Sequence, residues 1–179
     1  DIDLDLIDAF LHSMKMDLTK KDYTTTEEYE KYIYGSADVV GLMCLKVFVN
    51  GDEEKYEELK DGAMALGSAF QKVNFLRDLK SDIELLNRSY FPNIDLRNLD
   101  QQTKVQIIEE IEADFQKAYA GIIKLPATSK FGVYTAYVYY RRLLRKLKNT
   151  PSREIMSTRI RVPNYAKMGL LMKSYVNTK

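Results

Sequence analysis

Residues 63–92 read AMALGSAFQKVNFLRDLKSDIELLNRSYFP, a stretch without proline before Pro92, and its apolar spacing is that of a helix. At about 100° per residue, Leu66, Ala69, Val73, Leu76, Leu79 and Ile83 share one side. Gly67, Gln71, Asn74, Asp78 and Asp82 gather on the other. A solvated face normally recruits Lys and Glu. This one carries short side chains beside a glycine, while Lys72 and Lys80 lie towards the apolar side, so it is expected to face a cavity; the alternative is an ordinary solvated polar face. Asp78 and Asp82, at i and i+4, point the same way. Two carboxylates so placed can share a hard cation, and Mg²⁺ characteristically takes one or two carboxylates, water and substrate phosphate. The spacing implies a phosphate or diphosphate bridged by Mg²⁺, with Mn²⁺ as the substitute, although D-x-x-x-D by itself recurs by chance.

Outward from this stretch, four prolines and eight glycines in 179 residues leave long segments without breakers. Helical periodicity predicts helices near 3–18, 26–49, 53–87, 100–124, 128–148 and 164–176. Thr25 with Glu28 forms a capping box, and Asp100 and Thr128 are the expected N-caps of later helices. Residues 88–93 read as a loop, because Pro92 keeps Phe91 out of the α region. No useful run alternates with period two. The expectation is an all-α chain, one domain over residues 1–179.

Composition excludes several classes. With 45% apolar residues the chain can build a core. One cysteine (Cys44) and one histidine (His12) rule out an intrachain disulfide and a structural zinc site. Cys44, in an apolar run, is expected to be buried. No window is long and apolar enough to span a membrane. The start, Asp1-Ile2-Asp3-Leu4-Asp5, has neither an initiator Met nor signal-peptide character, which suggests a fragment. Charge is unevenly divided. Residues 1–120 carry 14 Lys and Arg against 25 Asp and Glu, net −11; residues 121–179 carry 13 against Glu154 alone, net +12. A nucleic acid partner is not expected, since no RNA-binding signature accompanies the basic part and the acidic part would repel a phosphate backbone. Between Arg141 and Lys148 leucines alternate with cations, a pattern suited to peripheral contact with an anionic membrane surface, on a protein otherwise expected in the cytoplasm.

The segment Gln71 to Asp82, followed by Asn87-Arg88-Ser89-Tyr90-Phe91-Pro92, resembles the second aspartate-rich signature of the squalene/phytoene synthases, Q-x-x-N-I-L-R-D-x-x-x-D and then R-x-Y-x-P. Met16-Asp17-Leu18 and Tyr32-x-Tyr34-Gly35-Ser36-Ala37-Asp38-Val39-Val40-Gly41 resemble upstream family segments, with Ser36 and Asp38 departing from the usual residues. Tyr140-Arg141-x-Leu143-Leu144 and Arg159-Ile160-Arg161-Val162 resemble downstream ones. The resemblance spans essentially the whole chain and implies the helical bundle of the isoprenoid synthases around a central cavity, lacking its N-terminal helices. The family's first aspartate-rich motif would lie upstream. Asp1-x-x-x-Asp5 stands too near Asp17 to be it, and the isolated chain is expected to be inactive.

The resemblance implies a head-to-head condensation of two prenyl diphosphates, most simply geranylgeranyl diphosphate giving phytoene. The alternatives are squalene or dehydrosqualene synthesis from farnesyl diphosphate, with NADPH only in the squalene case, or a member that has lost catalysis and binds lipid. Asp78 and Asp82 would hold the metal. Asn74 and Gln71 would face the reacting groups, and Arg77 would bridge carboxylate and phosphate or simply pair with an acidic neighbour. Arg159, with Arg161 as second choice, would clamp diphosphate from a loop. Tyr140 and Tyr32 match cavity tyrosines, against plain core packing. Tyr32, Ser36 and Val40 on one helix and Ala63 and Leu66 on another would set the length of the prenyl tail, unless their small members serve only close helix packing.

Overall fold

The structure, a computed structural model, describes residues 2–20, 22–84, 90–92, 94 and 99–178. Helix α1 (Leu4–Met16) precedes α2 (Thr26–Ile33), which passes through a π-helical turn (Tyr34–Asp38) into α3 (Val39–Phe48). Then come α4 (Glu53–Glu84), α5 (Gln101–Ile122), α6 (Ala127–Asn149), the short α7 (Ser152–Ile155) and α8 (Asn164–Asn177). Among the described residues there is no strand, so the all-α expectation holds. Asn87, Arg88 and Ser89 of the signature lie outside the described residues, as do positions 85–87 of the third expected helix and Asn93 of the expected loop.

Local chemistry places most helix starts. Thr25 Oγ1 accepts from the Glu28 N–H at 3.2 Å, while the Glu28 carboxylate accepts from the Thr24 N–H at 3.0 Å, one residue earlier than in a standard capping box. Asp100 accepts from the Thr103 N–H at 2.8 Å. Thr128 is not a cap. Pro126, with φ fixed at −53°, takes the N-cap of α6 and leaves Thr128 inside the helix. Asn50 and Gly51, at φ 54° and 76°, form the left-handed turn between α3 and α4.

Helix α4 organises the core. Ala69, Val73, Leu76 and Leu79 are at most 2% exposed and belong to one cluster with Ile108, Ile111 and Phe115 of α5 and Leu143, Leu144 and Leu147 of α6. Each fully buried aliphatic side chain contributes about 1.5–3 kcal/mol of transfer free energy. Helices α4 and α5 meet at Gly62 and Gly121, where a Cβ on Gly62 would stand 3.2 Å from the Gly121 Cα. Aromatic residues fill the region beside α2: Phe75 stacks on Tyr90 with centroids 3.9 Å apart, and Tyr23, Tyr29, Tyr32 and Phe91 surround them.

Lys72 and Lys104 are buried beside this apolar core. Lys72 lies 2.8 Å from Asp114 and 2.5 Å from Glu110, which joins α4 to α5 by charge as well as packing. Lys104, 1% exposed, donates to the carbonyls of Lys148 and Thr150 at 3.1 and 2.8 Å, at the C-terminal end of α6 where helix carbonyls lack intrahelical partners. Burial pushes the Lys104 ammonium below its usual range.

Two expectations change. The leucines between Arg141 and Lys148 do not face outward, because Leu143, Leu144 and Leu147 are the inner side of α6, and only the cations remain outside. Cys44 is exposed rather than buried, because the side of α3 that carries it borders a cavity.

Candidate active site

Helices α3, α4, α5 and α6 line a cavity of about 680 Å³. Its α4 wall runs from Leu59 to Asn74, a helical length of about 22 Å at 1.5 Å per residue. Ala63, Leu66 and Gly67 form that wall, and Val40, Gly41 and Cys44 face them from α3. Small residues serve space and packing together. A Cβ on Gly67 would come within 2.5 Å of the Ala37 carbonyl, and one on Gly41 within 2.5 Å of the Ala63 carbonyl. These positions therefore line the cavity and allow close helix packing at once. Ser36, in the π-helical turn, lines the cavity, and its Oγ is buried without a hydrogen-bond partner.

The cavity becomes polar at one end. Gln71, Asn74 and Tyr140 line it there; the Tyr140 hydroxyl donates to Asn74 Oδ1 at 3.3 Å, and its ring stacks on Phe70 at 4.0 Å between centroids. One turn beyond Asn74 stands Asp78. Arg77 Nε donates to Asp78 Oδ1 at 3.0 Å, its Nη2 reaches Oδ2, and Arg159 Nε lies 2.7 Å from Oδ1. The hydrogen bond to Asp78 holds the Arg77 guanidinium above its usual range.

Arg159 reaches this point because its loop is anchored on either side. Ile160 and Val162 are 5% and 4% exposed, Lys146 Nζ donates to the Arg161 carbonyl at 2.7 Å, and the alternation turns Arg159 outward to α4. Arg161 makes no ion pair among the described residues. Arg159 is thus the loop arginine joined to the aspartate motif.

Tyr32 stands apart. It is 3% exposed, its hydroxyl donates to Asp17 Oδ1 at 2.9 Å, and its ring packs against Tyr23, Tyr90 and Phe75 rather than lining the cavity. Burial raises its phenol above the usual tyrosine range. Asp38 is 7% exposed and accepts from Ser68 Oγ at 2.6 Å; burial pushes its carboxyl up. The sequence did not announce that pair, nor the α6 wall made by Ser129, Gly132, Val133 and Ala136. The α6 residues share helical spacing with Tyr140, a pattern that was available; the Asp38–Ser68 pair, formed between residues 30 apart, left none.

The donor set suits a hard cation. Asp78 already binds positive groups through both oxygens, and Asp82 follows one turn later. Among the described residues no three carboxylate, histidine or cysteine groups converge, so Asp78 and Asp82 alone would leave most positions around a bound cation to other oxygens.

The model of the squalene/phytoene synthase family matches residues 1–166. This chain belongs to that family. The squalene/phytoene synthases are prenyltransferase-type enzymes, and relatives of this chain carry phytoene synthase in their names. The chain is 26% identical to a bifunctional lycopene cyclase/phytoene synthase of Blakeslea trispora, over 95% of this chain and 31% of the relative. It is 27% identical to the chloroplastic phytoene synthase 1 of Solanum lycopersicum, over 82% of this chain and 40% of the relative. It therefore spans well under half the length of either. The squalene synthase HpnC of Alicyclobacillus acidocaldarius, 20% identical, superimposes with a TM-score of 0.69 over 83% of this chain and 62% of its own. That likeness establishes the isoprenoid-synthase fold of this squalene/phytoene synthase member.

Proposed function

We propose that the protein containing this chain condenses two prenyl diphosphates head to head, with geranylgeranyl diphosphate as substrate and phytoene as product. The observation that carries this reading is the cavity of about 680 Å³, apolar along its length and polar at the end nearest Asp78 and Arg159. Its long α4 wall suits the longer prenyl tail better than the farnesyl one, and the phytoene synthase names of the relatives point the same way.

Loss of diphosphate from an allylic substrate creates an anion and a carbocation, which need opposite surroundings. Arg159 and Arg77 offer planar guanidinium forks to the departing diphosphate. Asn74 and Tyr140, already hydrogen-bonded to each other, orient the end of the substrate where charge separates. The apolar walls keep water from the allylic cation, which would otherwise be quenched as an alcohol. Asp78 and Asp82 would hold Mg²⁺ or Mn²⁺, which supplies Lewis acidity at the diphosphate. Their role is to bind metal rather than to transfer protons.

The test offers the protein containing this chain, rather than the isolated chain, geranylgeranyl and farnesyl diphosphates separately with Mg²⁺ and analyses hydrocarbon products by mass spectrometry. Phytoene from the first substrate is expected. Preferential use of farnesyl diphosphate would replace this reading with squalene or dehydrosqualene synthesis, NADPH being consumed only for squalene. No hydrocarbon from either would support a lipid-binding role.

A further inference from the structure

Two guanidinium groups enclose the Asp78 carboxylate. Arg77 grips it as a fork, Nε donating to Oδ1 at 3.0 Å and Nη2 reaching Oδ2. Arg159 approaches from the loop between α7 and α8, with Nε 2.7 Å from Oδ1 and Nη2 donating to Oδ2 at 3.5 Å. A carboxylate offers about four acceptor positions on its two oxygens, so a pair of two-pronged partners crowds them all. The Asp78 side chain is only 19% exposed, which leaves little of it open on any other side. Mg²⁺ requires a carboxylate oxygen at about 2.0–2.1 Å in a strict octahedral arrangement, and it repels a guanidinium. A divalent cation therefore reaches Asp78 only where one of the two arginines has been displaced.

The two arginines are not equally fixed. Arg77 is the neighbour of Asp78 on α4, and its side chain is mostly covered. Arg159 lies 81 positions further along the chain, has a side chain 48% exposed and makes the longer of the two contacts with Oδ2. Ion pairs so open to solvent are weak and readily exchanged. Ile160 and Val162 in the core, with the Lys146 bond to the Arg161 carbonyl, anchor the main chain of the loop while the Arg159 side chain stays outside. A planar fork that fits a carboxylate fits phosphate oxygens equally well. Arg159 is thus the partner that can leave Asp78, and a diphosphate is a ligand that can draw it away.

We propose, on the prenyl diphosphate reading of the cavity, that Arg159 is a latch on the aspartate motif. Its guanidinium occupies Asp78 until a diphosphate takes it over, and only then does the carboxylate accept a divalent cation. One side chain so couples the two binding events, and the coupling works equally in both directions. A cation arriving without diphosphate meets a carboxylate already engaged, so the protein takes metal together with substrate rather than ahead of it.

Calorimetric titration of Mn²⁺ into the protein containing this chain, with and without inorganic pyrophosphate, tests the latch without turnover. With Mn²⁺ alone, Arg159→Gln should bind about fivefold more tightly than the unaltered protein, the most that a half-exposed ion pair resists. Adding Asp78→Asn to that variant should remove the gain. Arg161→Gln, which takes a charge from the same loop but no ion pair among the described residues, should leave the affinity unchanged. Pyrophosphate should strengthen Mn²⁺ binding more in the unaltered protein than in Arg159→Gln, by the factor that the variant has already gained. An unchanged Mn²⁺ affinity in Arg159→Gln, or an equal gain in Arg161→Gln, would overturn the latch and leave Asp78 as a metal ligand. Failure of every protein to bind Mn²⁺, even with pyrophosphate, would overturn the latch and the metal assignment together.

Discussion

Asp78 binds one guanidinium from the adjacent residue and another from a residue 81 positions further on. The nearer partner was visible in the sequence; the distant one was legible only through the family pattern at Arg159. Because Arg159 is half-exposed, its ion pair adds little to stability. Arg159→Gln should accordingly leave the melting temperature nearly unchanged while lowering kcat/KM about 10²–10³-fold, the usual loss for one donor to a developing anion. Steady-state kinetics beside thermal unfolding would check both halves. Lys104 makes the opposite case. Its partners are main-chain carbonyls at the end of another helix, which no residue pattern discloses, and Lys104→Met would strand them in the interior. A loss of about 1–3 kcal/mol is expected from chemical denaturation, with activity retained in the folded fraction.

At the level of the elements, helix positions were legible wherever breakers and caps surrounded a periodic run, as in α4, α5 and α8. What escaped was set by tertiary contact. The π-helical turn at Tyr34–Asp38 sits where Gly35 meets α1, so closely that a Cβ would fall 2.8 Å from the Ala9 carbonyl. Tyr32 lies just before that turn, and its placement in the aromatic core rather than the cavity was equally invisible to spacing. The start of α2 yields a pH prediction. A hydrogen bond with Lys20, then one from the Thr24 N–H, holds the Glu28 carboxyl at about 2, below its ordinary 4.5. Between those values the unfolded chain binds more protons, so this contribution is present above 4.5 and lost as pH falls through about 2. Glu28→Gln should flatten that part of the acid-stability profile, measured as the urea midpoint against pH. Between α3 and α4, Ala63→Phe should shorten the cavity and shift preference from geranylgeranyl towards farnesyl diphosphate. An unchanged ratio in a competition assay would remove Ala63 from the chain-length wall.

Across the whole molecule, the division between an acidic first part and a basic last part acquires partial meaning. Several cations of residues 121–179 answer acids of the earlier helices: Lys124 pairs with Glu58, Lys148 with Glu112, and Arg159 with Asp78. Arg142 and Arg145 are among the cations that form no ion pair among the described residues, on the side of α6 turned away from its buried leucines. The sequence pattern puts cations and leucines on one helix; folding turns the leucines into the core and leaves the cations outside. Cavity walls were half legible: α3, α4 and Tyr140 of α6 from the family segments, α5 and the rest of the α6 wall only once the helices were packed.

Val40, Cys44 and Phe48 follow one another along α3 at the cavity edge, and Cys44 is the single cysteine in the chain, exposed and free. Within this chain a thiol reagent therefore has one cysteine to react with, beside the compartment proposed for the prenyl tail. The alkylation rate of Cys44 becomes a clock for occupancy, slowing whenever a hydrocarbon fills the space next to it. That readout follows filling of the cavity without requiring turnover.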